Sequence, residues 1–211
     1  MGTNGTVRLL ILDCDGVLIR SEGANLAYYN HLFGAFGLPL ISRDDRASMG
    51  LLQTLSTPQV IEAFFPPPLQ GKVREFASGI DFAPFLGQVE PEPGWQGVLG
   101  RWRGRGRTAV ATNRGASARA VLEAVGLLRL VDHVVTIRDV PRPKPHPDLL
   151  LGALRHFGIS GGEALYVGDS ELDRRAAGAA GVPFLGFRTS TPPSARDAAE
   201  VEAHLTGLAG E

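Results

Sequence analysis

The chain has 211 residues, is 44% hydrophobic and 20% charged, and carries a net charge of −1 at pH 7. That length supports one sizeable domain, alone or with a small insertion, and the near-zero charge excludes a global field aimed at nucleic acid or anionic lipid. The single cysteine excludes an intramolecular disulfide, and with no bilayer-length apolar run and no secretory pattern at the start, the expectation is a soluble, cytoplasmic protein.

The stretch Leu9-Leu10-Ile11-Leu12-Asp13-Cys14-Asp15-Gly16 is the first patterned element. A run of large apolar residues closed by a turn reads as a buried central strand. Asp13 and Asp15 then lie at its C-terminal end, on the side opposite Cys14, and Gly16 allows a sharp turn whose amide could approach an anion. Two carboxylates this close repel unless a cation sits between them or one keeps a proton. A hard divalent ion such as Mg2+ would relieve that repulsion.

From Leu18 the pattern becomes helical. Leu26, Tyr29, Leu32, Phe33 and Phe36 recur at helical spacing, with Gly37 and Pro39 as a stop. Further helices are expected over 43–55, from an N-cap at Thr57 to residue 65, and after Pro66-Pro67-Pro68 through residue 77. Pro91-Glu92-Pro93-Gly94 marks a boundary, so 18–89 reads as a small helical insert between the core segments 1–17 and 90–211. Beyond it, helices over 95–102, 116–125, 148–157, 171–180 and 194–208 alternate with strands over 107–112, 133–137, 164–167 and 182–187. That alternation predicts an α/β fold, a doubly wound parallel sheet with helices on both faces.

Several short patterns are set aside. Residues 1–6 match both a myristoylation and, at Asn4-Gly5-Thr6, a glycosylation pattern, and read as a polar terminus. Residues 104–109 match a dinucleotide fingerprint letter by letter but precede a strand, the wrong context. The cluster Arg101, Arg103, Arg105 and Arg107 around Trp102 reads as a solvated helix end and loop, so no nucleic-acid partner is expected.

Polar groups recur at other strand ends: Thr112-Asn113 after the second, Lys144 in the loop after the third, and Gly168-Asp169-Ser170 with Asp173 after the fourth. Lys72 and Lys144 are the chain's two lysines. Phosphoryl transfer needs an in-line nucleophile, charge neutralisation on the equatorial oxygens and a proton donor for the leaving group. A carboxylate, a hydroxyl with amides, an ammonium and metal-holding acids supply those parts.

The order Asp-x-Asp-Gly-Val-Leu, Thr-Asn, Lys-Pro-x-Pro-Asp, Gly-Asp-Ser-x-x-Asp resembles the haloacid dehalogenase superfamily over nearly the whole chain, and the helical insert resembles its type 1 cap. The likeness is to small-cap members such as phosphoglycolate phosphatase and β-phosphoglucomutase. It implies Asp13 as nucleophile and Asp15 as general acid and base. It implies a phosphate grip by Gly16, Thr112, Asn113 and Lys144, with Asp13, the backbone carbonyl of Asp15 and Asp169 around Mg2+, and Asp173 in support. Asp15 sets this chain apart from the dehalogenases and the phosphonatases, for which Lys72 would be the one candidate cap lysine. Gly168 stands where β-phosphoglucomutase has glutamate. The implied activity is a Mg2+-dependent phosphatase acting on a small phosphorylated metabolite through an aspartyl-phosphate, with a phosphosugar mutase or a catalytically silent phospho-ligand binder as alternatives. One departure is Arg20, where relatives usually carry aspartate; it could steer an anionic substrate or sit in solvent. In the insert, Arg46, Met49, Gly50 and Gln53 are candidates to face the site.

Overall fold

The computed structural model of the chain describes residues 7–207, so the patterns at residues 1–6 and the end of the last helix lie outside the described residues. β1 (Leu9–Leu12) is buried along its whole length, as the apolar run requires. Its alternating side chains feed two cores. Leu10 and Leu12 enter one with Val110, Val167, Trp95 and Val121, while Leu9 and Ile11 enter the other with Ala109, Leu149, Tyr166 and Ala176.

The chain leaves the sheet through β2 (Ile19–Arg20), forms α1 (Glu22–Ala35), α2 (Arg46–Thr54), α3 (Thr57–Phe64), α4 (Pro67–Gly79) and a 3-10 turn, and returns through β3 (Glu90–Pro91). The two short strands pair antiparallel, Ile19 with Pro91 and Arg20 with Glu90. These helices bury their own cluster, including Leu32, Phe33, Leu52, Val60, Ile61 and Phe65. The N-cap of α3 is Ser56, one residue before the expected Thr57: Ser56 N and Oγ both donate to Gln59 Oε1. Arg20 lies in the paired strands, exposed, bonded to Glu90 at 2.9 Å and outside the cavity described below, so of its two expected roles it sits in solvent and does not line the site.

The remainder alternates: α5 (Trp95–Trp102), β4 (Arg107–Thr112), α6 (Ala118–Ala124), β5 (His133–Thr136), α7 (Asp148–Phe157), β6 (Ala164–Gly168), α8 (Glu171–Ala180), β7 (Phe184–Phe187), β8 (Ser194–Ala195) and α9 (Ala198–Gly207). The helix expected over 194–208 is thus partly a strand. Ser194 and Ala195 pair with β7, and the helix begins only after Asp197, whose side chain accepts from Glu200 N at 3.0 Å. The sheet order is β5-β4-β1-β6-β7-β8 with parallel pairing throughout. Successive strands depart from β1 in opposite directions, so the switch point, and the crevice it creates, lies at the C-terminal end of β1. Trp95 fixes the chain just beyond it by donating from Nε1 to the Val17 carbonyl at 2.6 Å. Among the described residues no helix is long and apolar enough to cross a membrane.

Ile11 is fully buried between β4 and β6. Ile11→Ala is expected to lower unfolding free energy by about 2–5 kcal/mol in urea denaturation, as large-to-small core changes do. A loss below about 0.5 kcal/mol, the scale of surface substitutions, would contradict this central placement.

Candidate active site

The strand ends converge. Asp13 follows β1 directly and is 7% exposed; its backbone N–H bonds the Val167 carbonyl of β6 at 2.9 Å, which pins it to the edge. Lys144 reaches it from the loop between β5 and α7, Nζ to Asp13 Oδ1 at 2.8 Å. The same ammonium bonds Asp173 Oδ1 of α8 at 2.6 Å and Tyr166 Oη of β6 at 3.1 Å. Asp173 is fully buried and also accepts from Tyr166 Oη at 2.5 Å and from Ser170 Oγ and N at 2.5 and 3.1 Å. Lys144 itself is held by Asn113, whose side-chain oxygen accepts from Lys144 N at 2.8 Å while Nδ2 donates to Lys144 O at 3.3 Å.

Carboxylate oxygens of Asp13, Asp169 and Asp173 lie within 4.8 Å of one another. Three acids therefore face one ammonium, and with all three ionised two negative charges would exceed it, so ionisation of the cluster is opposed. Burial, then the charges of Asp173 and Asp169, push the Asp13 carboxyl well above the usual carboxylate range against the opposing pull of Lys144. Asp169, at the edge of the site, is pushed up to about 7 by desolvation among the surrounding protein atoms and by the charge on Asp173. Burial works against ionised Asp173 too, but the Lys144 charge and the hydrogen bonds from Lys144, Ser170 and Tyr166 outweigh it and hold this carboxyl low. Lys144 is pulled both ways: burial opposes its charge, and Asp13 and Asp173 reinforce it, with a net rise.

Gly16 has φ +76°, and a Cβ built on it would stand 1.8 Å from Asp169 Oδ2. Glycine is required there for close approach of the acid. Its amide does not face an anion, however: it bonds the Ile19 carbonyl at 2.9 Å, closing the turn, which corrects the expected phosphate-binding role of Gly16. Cys14 points into the opposite core, where burial, then the charge of Asp15, raises its thiol well above the usual range and leaves it unreactive.

Asp15 has a different partner. Arg114 grips it through Nη2 to Oδ1 at 2.5 Å and Nε to Oδ2 at 3.0 Å, and Ser21 Oγ donates to the same carboxylate. Burial would raise this carboxyl, but the Arg114 charge and hydrogen bonds prevail and hold it below the usual range. Its side chain is therefore not part of the acidic cluster. Arg114 Nη2 also bonds Asn25 Oδ1 of α1 at 2.7 Å. Arg114 and Tyr166 were not singled out in the sequence. A signal existed for Tyr166, a hydroxyl in an otherwise apolar central strand that must find a partner when buried; Arg114 offered only its place beside Thr112-Asn113.

A cavity of about 530 Å³ lies over these groups, lined from the sheet side by Asp13, Asp15, Thr112, Asn113, Arg114, Lys144 and Asp169 and from the helical side by Asn25, Tyr28, Gln53 and Leu55 among others. Of the helical candidates Gln53 lines it; Arg46, Met49, Gly50 and Lys72 do not. The arginine cluster before β4 is divided by ion pairs, Arg101 to Glu202 and Arg107 to Asp132, and Trp102 is buried.

A fold and site of this kind define a class, the doubly wound α/β proteins that carry an acidic cluster and a buried lysine at the C-terminal end of the first strand. A family profile described as haloacid dehalogenase-like hydrolase matches residues 10–187. The chain belongs to that family. It is 31% identical over 187 residues to the probable phosphatase IndB of Dickeya dadantii (strain 3937), covering 84% of this chain and 80% of that protein. It is 32% identical over 153 residues to phosphoglycolate phosphatase of Escherichia coli O157:H7, covering 69% of this chain but 58% of that protein. A solved subfamily IA hydrolase of the same superfamily from Geobacter sulfurreducens PCA superposes with a TM-score of 0.75 at 37% identity, covering 95% of this chain and 97% of that one. CbbY from Rhodobacter sphaeroides, solved with phosphate, shares the fold with a TM-score of 0.78 at 22% identity over 93% of this chain and 96% of that one. The chain is an enzyme, a phosphatase of this family.

The donor set fits the divalent metal that the family implies. Its ligands are hard carboxylate oxygens, and their excess charge with all three ionised equals that of one divalent ion. Because the folded-state pKa of Asp169 is raised from 3.8 to about 7, its ionisation disfavours the folded state increasingly as pH rises through that window. In EDTA, the melting temperature is expected to fall between those pH values relative to Asp169→Asn, and millimolar MgCl2 should restore it. Parallel pH profiles of the two proteins in EDTA, followed by circular dichroism, would contradict this opposition to ionisation.

Proposed function

We propose that the protein is a Mg2+-dependent phosphatase of small organophosphate monoesters that works through a phosphorylated Asp13. The observation that carries this reading is the buried contact of Asp13 with Lys144 beside two further carboxylates, at the mouth of a cavity large enough for a phosphate and an organic leaving group. Asp13, the Asp15 carbonyl and Asp169 would hold Mg2+, which when bound supplies charge neutralisation on Asp13 and the phosphoryl oxygens. Asp173 serves instead to hold Lys144, since its oxygens are already engaged.

In the first half-reaction a carboxylate oxygen of Asp13 bonds to phosphorus as the ester oxygen leaves, and that oxygen takes a proton from Asp15. In the second, Asp15 removes a proton from water, whose oxygen bonds to phosphorus. The acyl-phosphate bond breaks, and inorganic phosphate and Asp13 are released. Lys144, the Thr112 hydroxyl and the Asn113 backbone amide are the proposed grip on the phosphoryl oxygens. Arg114 holds Asp15 ionised, the state suited to the second half-reaction, so this clamp must loosen for the first. The clamp also contacts α1, which makes movement of residues 18–89, acting as a cap, a direct means of releasing it. Phosphoglycolate is a reasonable first substrate to test, because relatives bear its name. The buried free thiol of Cys14 fits a reducing, cytoplasmic setting.

Phosphate release from p-nitrophenyl phosphate and phosphoglycolate tests the reading. Wild type with MgCl2 is expected to turn over; EDTA and Asp13→Asn should abolish it. Asp15→Asn should lose about 10²–10⁴-fold, more for phosphoglycolate, whose alkoxide leaving group needs its proton, than for nitrophenolate. Wild-type rates in Asp13→Asn would overturn the mechanism, and an isomerised product without free phosphate would place the enzyme among the mutases.

A further inference from the structure

A hydrogen-bonded ladder climbs from Asp15 into the helical wall of the cavity. Arg114 Nη2 bonds Asp15 Oδ1 and also Asn25 Oδ1 at 2.7 Å, and Asn25 Nδ2 bonds Gln53 Oε1 of α2 at 2.9 Å. The sense of this ladder is fixed at its base. A guanidinium has no acceptor, so the Asn25 atom it meets must be the carbonyl oxygen. The Asn25 amide nitrogen then faces Gln53 and requires the glutamine oxygen. A second bond from Asn25 Nδ2, to Ser21 Oγ at 3.3 Å, obeys the same sense.

The upper end of the ladder is therefore a donor, Gln53 Nε2. It is buried and, among the described residues, has no hydrogen-bond partner. Native structures leave few such groups. Gln53 lines the cavity from α2, beside apolar Leu52, Leu55 and Ile61, and its neighbour Thr54 accepts from Asn113 Nδ2 at 3.4 Å through its carbonyl. Tyr29 and Thr57 on that wall satisfy each other, Oη to Oγ1 at 3.3 Å. A ligand whose phosphoryl group sits at Asp13 would extend its other end toward this region.

We propose that Gln53 is a specificity-determining residue that donates from Nε2 to an oxygen of the substrate's leaving group, a hydroxyl or a carboxylate. Through Asn25 and Arg114 it joins recognition of the leaving group to the position of Asp15, the residue that must protonate it. The inference rests on the phosphatase reading for the identity of the leaving group, while the binding contact itself does not require turnover.

The test uses calorimetric titration with MgCl2 of Asp13→Asn and Asp13→Asn/Gln53→Glu. Phenyl phosphate, glycerol 3-phosphate and 3-phosphoglycerate present an apolar, a hydroxyl and a carboxylate leaving group. Gln53→Glu keeps the acceptor that Asn25 needs and removes the free donor. It is expected to weaken glycerol 3-phosphate or 3-phosphoglycerate at least tenfold more than phenyl phosphate, and the ester that loses more names the oxygen. Gln53→Met, neutral and of similar length, should show the same preference. In the wild-type background Gln53→Glu should act on KM, whereas Gln53→Met, which also breaks the rung to Asn25, should lower kcat as well. Equal changes for all three esters, or none of them binding, would overturn the role of Gln53. Absence of phosphate release by wild type would instead overturn the hydrolysis, so the two readings fail separately.

Discussion

One ammonium placed among three carboxylates governs the rest of this molecule. Lys144 bonds Asp173 at 2.6 Å and Asp13 at 2.8 Å, and Asp169 stands beside them. Burying a lysine is costly unless it is paired, and here the pairs arrive from β1 and α8 while Asn113 at the end of β4 holds the lysine's own backbone. The contact thus needs the sheet to be assembled before it exists. It also gathers acids whose joint ionisation is opposed at the one place where the sheet opens, a poor arrangement for stability and a suitable one for capturing a divalent cation and a phosphate. Asp173 and Tyr166 are best understood as the frame that keeps Lys144 aimed at Asp13.

A second, separate ion pair lies a residue away. Asp13 and Asp15 are close in sequence, yet one is pushed toward the neutral form by burial and neighbouring acids while the other is held ionised by Arg114. Opposite environments for adjacent acids are how one site obtains two roles. The observed pairing favours Asp15 as a base. On the proposed reading the enzyme must alternate between two arrangements of Arg114, and the contacts of Arg114 and Ser21 near α1 connect that alternation to the helices above the cavity.

Much of this was legible in the residues. The apolar run before Asp13, the αβ alternation after Gly94 and the polar groups closing each strand predicted the parallel sheet and brought Asp13, Asp15, Thr112, Asn113, Lys144 and Asp169 to one edge, because parallel strands end on the same side. What escaped has physical reasons. β2, β3 and β8 are two residues each, too short for periodicity to register. The Gly16 amide was expected to be open, but a turn that tight satisfies its own donor. Gln53 was among the candidates to face the site, but its link through Asn25 to Arg114 exists only because the helices lie over the sheet at a particular register, and one arginine among many carries no mark of that.

The central claim is that the acids around Asp13 form a site for one divalent cation. Titration of the metal-free protein with Mn2+, followed by electron paramagnetic resonance, tests it directly. The account predicts one tight ion per chain in wild type and at least tenfold weaker binding in Asp169→Asn, with Asp132→Asn, far from the cluster, unchanged. Equal affinity in Asp169→Asn and wild type, or no stoichiometric binding at all, would contradict it.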